Sequence, residues 1–366
     1  MKKILIYSIK GTSNIDHRIV SQSLFLKQEG YDVALLEIGK NVLGENTIYK
    51  QNDIPIYYLN HKSLLLIPFK LLRELIIGFN KVFGKKKLYL FNLHKIFCSL
   101  EVPRVVSKIN PDIIIARDTS TYLPKNIPII NDLHEVLYLM RGKVDIEVKN
   151  QQEQDLARTK GIISVTPQIA DNFYSKFFKE GKGIIIPNAP LLSVCPKKLP
   201  SFKSSEKVKF LIHGLFQKII GKSQIDFIKV FHKTHHNAIL YLRFINQNKN
   251  EGEDVKEMKK ECAEEIENGK IVFLEPILGG ITEEIESTID EFDVGLVILD
   301  VHFHLVYRMC SPNRLGTYLH SGLAILHNGS SFVTQIVAEA KAGICMKDDN
   351  EDIIAKVNYL CENPEV

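Results

Sequence analysis

The chain has 366 residues, 45% apolar and 25% charged, with a formal net charge of +4. That length exceeds one ordinary hydrophobic core and predicts two domains. The composition excludes a disordered or membrane-spanning chain, and lysines interspersed with acids argue against a nucleic-acid binder. Six cysteines, at 98, 195, 262, 310, 345 and 361, lack Cys-x-x-Cys spacing. They indicate neither zinc nor a disulfide framework, and a reducing, cytoplasmic compartment is expected.

Short Val/Ile/Leu runs alternate with helix-period segments from end to end, the pattern of parallel βαβ units with helices on both faces. Strands are predicted over 4–9, 33–38, 54–59, 113–116, 127–131, 162–165 and 183–186. Residues 62–87 depart from this rhythm: Lys70, Arg73, Glu74 and Lys81 share a helical stripe opposite Phe69, Leu72, Ile76 and Phe79. An apolar face beside cations suits either packing on the chain's own sheet or contact with an anionic membrane surface. Residues 191–207 carry Pro196 and Pro200 in a Lys/Ser-rich run without periodicity, and read as a linker. The pattern then restarts, with strands over 208–213, 239–245, 271–274, 294–299 and 323–327. Helices are predicted near 223–236, 254–267, 282–291, 312–321, 332–341 and 351–362. The expected fold is α/β: two doubly wound parallel-sheet domains, 1–190 and 208–366, facing across a cleft, with ligands beyond the carboxyl ends of the strands.

The most informative stretch is 311–326. Ser311 is a good N-cap, Pro312 fits the first helical position, and Gly322 suits the left-handed residue that ends the helix. Arg314 falls in the first turn, where a cation is disfavoured by about 0.3–1 kcal/mol unless an anion sits beside it. Orphan N–H groups plus an arginine make either a phosphate site or a surface helix whose arginine pairs with a carboxylate. A loop beginning at Gly11 follows the first predicted strand but lacks G-x-G-x-x-G, which argues against a nicotinamide dehydrogenase. Gly214 through Lys222 brackets a second loop, where Lys218 and Lys222 could meet a phosphate. Arg117-Asp118 and Asp132-Leu133-His134-Glu135 put ionisable groups at adjacent strand ends, as candidate general base, positioner or electrostatic stabiliser. The His302-x-His304 pair and the histidines at 232, 235 and 236 lack carboxylates at metal spacing, and no Asp-x-Asp occurs. No metal or cofactor is expected.

With these residues in order, the chain resembles the GT-B glycosyltransferases, and within them the family-four nucleotide-sugar enzymes. The resemblance rests on Asp16-His17-Arg18, Gly30-Tyr31-Asp32-Val33, Pro111-Asp112 to Arg117-Asp118, and Asn131 to Glu135. It continues through Ile163 to Thr166, Ile186 to Pro190, and Pro312-Asn313-Arg314-Leu315 with Tyr318 and Gly322. It implies sugar transfer from a nucleotide donor, UDP- or GDP-linked, to a glycan or lipid-linked acceptor in bacterial surface polysaccharide assembly, at the inner face of the membrane. His134, Asp118 and Asp16 are then the expected catalytic residues. Gly214, Lys218, Lys222, Arg308, Ser311, Asn313, Arg314 and Thr317 are the expected donor side, and Gly11, His17, Arg18, Asp132 and Glu135 the acceptor side. Two glutamates of the family pattern, one of them for the ribose, fall here on Met309 and Thr317, and its phosphate-binding arginine and lysine fall on Leu215 and Ile220. A last crossover helix is expected beyond Val366. The alternatives are a non-catalytic GT-B partner protein with a degenerate donor site, and a sugar-nucleotide epimerase.

Overall fold

The computed structural model describes residues 1–8, 17–38, 52–59, 88–134, 136–139, 144–179, 181–190, 207–215, 222–245, 253–277, 281–302 and 305–363. The amphipathic stretch 62–87, the linker apart from Lys207, and Gly11, Asp16, Glu135 and Lys218 lie outside the described residues, as does the side chain of His17.

The strands form two parallel sheets. The first contains β1 (Lys3–Ser8), β2 (Asp32–Ile38), β3 (Ile56–Leu59), β4 (Ile113–Arg117), β5 (Ile129–Leu133), β6 (Gly161–Ser164) and β7 (Gly183–Ile185), in the order β3-β2-β1-β4-β5-β6-β7. The second contains β8 (Val208–Leu215), β9 (Ala238–Ile245), β10 (Ile271–Phe273), β11 (Val294–Val297), β12 (Ala324–His327) and β13 (Gly343–Cys345), in the order β10-β9-β8-β11-β12-β13. In each sheet the strand order reverses once, between β1 and β4 and between β8 and β11. Those switch points open crevices at the carboxyl ends of the strands, where doubly wound sheets take ligands.

Alternate residues of each strand enter different cores, which is why the runs read as continuously apolar. Leu5 and Tyr7 of β1 pack with α2 (Leu88–Ile109) through Cys98, Val102 and Val106, while Ile4 and Ile6 pack on the opposite face with α1 (His17–Gln28) through Ile19 and Val20. In β8, Phe210 and Ile212 face one core and Leu211 the other. Helices α3 (Ile146–Ala157) and α4 (Pro167–Tyr174) complete the first half. The second half adds α5 (Lys222–Val230), α6 (Glu253–Glu261), α7 (Ala263–Glu267), α8 (Ile281–Glu286), α9 (Asn313–His320), α10 (Ser331–Ala340) and α11 (Asn350–Glu362). The predicted single helix over 254–267 is therefore two, parted at Cys262. Strand β13 was not expected, because three residues are too few to show a period.

The chain divides into two compact units. One comprises Met1–His134, Glu147–Ile163 and Lys179–Ile184, and the other Glu135–Ile146, Ser164–Phe178 and Ile185–Val366. Segments following β5, β6 and β7 thus group with the second unit, although the sequence places them inside a first domain of 1–190. No helix among the described residues is long and apolar enough to cross a membrane.

Two buried positions in the second unit carry tests. A Cβ on Gly295 of β11 would lie 2.3 Å from Cδ2 of Tyr318 on α9, so the strand tolerates only glycine beneath that ring. Gly295→Ala is expected to cost about 1–3 kcal/mol or more through overpacking, measured by denaturant unfolding. His327, 2% exposed, accepts the N–H of Gly329 on Nδ1 at 3.2 Å, and burial pushes its pKa down to about 4. The unfolded chain binds this proton near pH 6.5, so the neutral imidazole's contribution is whole above that pH and is lost as pH falls toward 4. His327→Gln should flatten the fall in stability between pH 6.5 and 4; an unchanged slope would assign it to other groups.

Candidate functional site

Helix α9 begins where the β8/β11 crevice of the second unit opens. Its ends follow from local chemistry. Pro312, in extended backbone, is the N-cap and offers no side-chain cap. Gly322, at φ +73°, closes the other end: its N–H reaches Leu319 O at 3.1 Å and the Leu323 N–H reaches Tyr318 O at 3.0 Å, a Schellman pairing. The expectation of Ser311 as N-cap needs correction by one position. Its Oγ accepts the backbone N–H of Asn188 at 3.0 Å, and its carbonyl accepts Asn188 Nδ2 at 2.6 Å. The serine hydroxyl that would cap the helix is engaged elsewhere.

Arg314 therefore stands in an uncapped first turn. It forms no ion pair among the described residues, and Nη1 is buried without a hydrogen-bond partner, as is Oδ1 of Asn313. The guanidinium lies over Gly214, near the end of β8: a Cβ at Gly214 would sit 3.6 Å from Nη2 and 3.7 Å from Cζ, and Gly214 holds φ +124°. A backbone that favours glycine thus leaves the arginine room at the strand's carboxyl end. A positive group set against the helix dipole, at a helix start that no side chain caps, is an arrangement that an anion would complete.

A buried polar network supports this turn from within. Tyr318 is fully buried; its hydroxyl accepts the His213 N–H at 2.8 Å and donates to Leu211 O at 3.2 Å. Burial raises its pKa well above the ordinary phenol value, so it serves as a neutral donor and acceptor. His213 Nε2 lies 3.4 Å from Glu284 Oε1 of α8, and Thr317 Oγ1 donates to the same oxygen at 3.0 Å. Arg243 is paired in register with His213 across β8 and β9. It is buried, donates to Ser287 and Thr288, and lies over the Phe292 ring. Burial lowers its pKa, and Glu284 opposes that shift. His213, Arg243 and Glu284 were not singled out from the sequence. The available signal was a histidine placed just before Gly214 at a strand end.

The other expected donor-side residues are placed differently. The N–H groups of Lys222 and Ser223, which open α5, donate to the Asp300 carboxylate at 3.2 and 2.7 Å. This helix start already holds the chain's own anion. Arg308 turns back to donate from Nε to Val301 O at 2.6 Å, closing its own loop. Thr317 binds Glu284 as above.

In the first unit, the expected acceptor-side charges satisfy one another. Arg18 grips Asp132 with two bonds, Nε to Oδ2 at 2.7 Å and Nη2 to Oδ1 at 2.6 Å, and Gln22 adds a third at 2.6 Å. Asp118, at φ +60°, accepts the His134 N–H on Oδ1 at 2.8 Å and donates its own N–H to Asp132 O at 2.8 Å. Asp118, Asp132 and His134 are therefore brought together at the ends of β4 and β5. No group of three His, Cys, Asp or Glu side chains suited to a metal exists among the described residues.

No protein-family model matches the chain, and no curated protein matches it. Solved structures do. Anabaena HepE in complex with UDP and glucose superposes with a TM-score of 0.65 at 12% identity, over 100% of this chain and 91% of that one. A Rickettsia africae glycosyltransferase gives 0.60 at 12% identity over 99% and 89%. A Listeria monocytogenes protein described as a UDP-N-acetylglucosamine 2-epimerase gives 0.60 at 11% over 100% and 89%. The fold is GT-B. At such identities the likeness carries the GT-B architecture alone.

Removing the Tyr318 hydroxyl tests the network under the site. Tyr318→Phe leaves the His213 N–H buried without its acceptor and is expected to cost about 1–3 kcal/mol in chemical denaturation. A variant as stable as the parent would show that the hydroxyl is dispensable.

Proposed function

We propose that this GT-B protein is a glycosyltransferase that binds a nucleoside diphosphate sugar in its second unit and passes the sugar to a glycan or lipid-linked acceptor. One observation carries the reading: Arg314 stands unpaired among the described residues, in the uncapped first turn of α9, over Gly214. In this reading the diphosphate lies against Nη1 and the first N–H groups of α9. As the sugar leaves, negative charge grows on that diphosphate, and donors fixed in place stabilise it without reorganising. Asp300 already fills the start of α5, which favours α9 as the phosphate helix.

The UDP in the HepE structure supports a uridine donor. Transfer without a metal ion, a membrane-surface acceptor and a role in bacterial surface polysaccharide assembly are further parts of the proposal. A second reading, epimerisation of the nucleotide sugar, draws support from the Listeria neighbour's description. The two separate chemically: a transferase releases nucleotide only as an acceptor is glycosylated, whereas an epimerase turns over the donor alone.

Calorimetry with uridine and guanosine diphosphates tests the site. Arg314→Ala should weaken binding by roughly 1.5–3 kcal/mol, the scale of hydrogen bonds to charged groups. Unchanged affinity would place the phosphates elsewhere. His134→Ala, at the position that the resemblance implies near the donor sugar, should depress turnover with nucleotide affinity nearly intact. A parallel loss of both would assign His134 to binding.

A further inference from the structure

The backbone that delivers Arg314 is pinned from outside its own loop. Arg308 O accepts the hydroxyls of Ser330 at 3.3 Å and Ser331 at 2.7 Å, where α10 begins. Met309 O accepts Thr166 Oγ1 at 2.8 Å. Ser311 takes two bonds from Asn188, one on Oγ and one on its carbonyl. Gly316, one turn into α9, meets the same segment: a Cβ there would lie 2.9 Å from Pro190 Cδ and 3.2 Å from Ala189 Cα. Carbonyls at 308, 309 and 311 thus all point to side chains from other segments, and the helix starts at a position fixed on several sides.

Two of these pins share an origin. Thr166 comes two residues after β6, and Asn188 three residues after β7, both strands of the first sheet. Each side chain does more than fill space. Thr166 caps α4, accepting the Ile169 N–H at 3.2 Å, while its own proton goes to Met309 O. Asn188 is buried and reaches Ser311 with both its backbone and its amide. Loss of either frees one carbonyl within five residues of Arg314, in a site where small misplacement is costly.

We propose that Asn188 and Thr166 are positioning residues for the anion site, acting through Ser311 and Met309 on the backbone that starts α9. Neither touches the ligand; each sets where Arg314 Nη1 and the first α9 N–H groups meet it. The inference rests on the reading of Arg314 as the phosphate group's partner.

The test is titration of the full chain with uridine diphosphate and with inorganic pyrophosphate, using Asn188→Ala, Thr166→Val and Thr166→Ser, each alone and combined with Arg314→Ala. Asn188→Ala and Thr166→Val should weaken both ligands about five- to tenfold, the scale of one hydrogen bond. Thr166→Ser keeps the donor and should bind like the parent. On the Arg314→Ala background, either substitution should weaken the residual binding clearly less than in the parent, because only the α9 N–H groups are left to be positioned. Equal losses with and without Arg314 would make the effect one of general stability and overturn the proposal, as would full affinity in both single variants. Thermal unfolding follows each protein. If Asn188→Ala does not fold, Ser311→Ala, which deletes only the acceptor of the Asn188 N–H, replaces it. Failure of the parent to bind either ligand overturns this inference and the functional reading together. Binding that Arg314→Ala removes and the clamp variants leave untouched overturns this inference alone.

Discussion

An arginine in the first turn of a helix, opposed by the helix dipole and given no carboxylate among the described residues, is the constraint around which α9 is built. Such a group is retained only where its surroundings hold it, and here they do so from below and behind. Below, Tyr318 lies on Gly295 and ties α9 to β8 through the His213 N–H and the Leu211 carbonyl. Behind, Asn188, Thr166, Ser330 and Ser331 hold the incoming backbone. These hydrogen bonds fix the location of the helix start, while Nη1 of Arg314 is buried without one among the described residues.

The contrast with the first unit sharpens this. At the carboxyl end of β5, Arg18 and Asp132 meet in a buried bidentate pair, which Gln22 completes. Breaking such a pair costs several kcal/mol because it strands a buried charge. The pair thus holds α1 to the end of β5, and Asp118 fixes the backbone of His134. At the start of α5, Asp300 supplies the anion from within the chain. At the start of α9, Arg314 forms no ion pair among the described residues.

Much of this was legible in the sequence where the cause is local. Continuous apolar runs announced buried parallel strands, because both faces of each sheet are covered. Gly322 announced the end of α9, because a left-handed residue is needed there. What escaped depends on partners far along the chain. Ser311 reads as an N-cap until Asn188, 123 residues away, takes its hydroxyl. Arg18 and Asp132 read as separate acceptor-side candidates, and their pairing across 114 residues leaves no local signal. Lys222 reads as a phosphate lysine, and the bond from its N–H to Asp300, 78 residues on, leaves no local signal. His213 and Glu284 carry no periodic or motif signal, since their pairing arises only when α8 packs beside β8.

In the proposed function an anion completes the start of α9. A crystal structure of the protein with uridine diphosphate tests it most directly. Phosphate oxygens within hydrogen-bond distance of Arg314 Nη1 and the first α9 N–H groups, with Asp300 still on α5, are the predicted result. Phosphates at the start of α5 with Asp300 displaced, and Arg314 untouched, would contradict it.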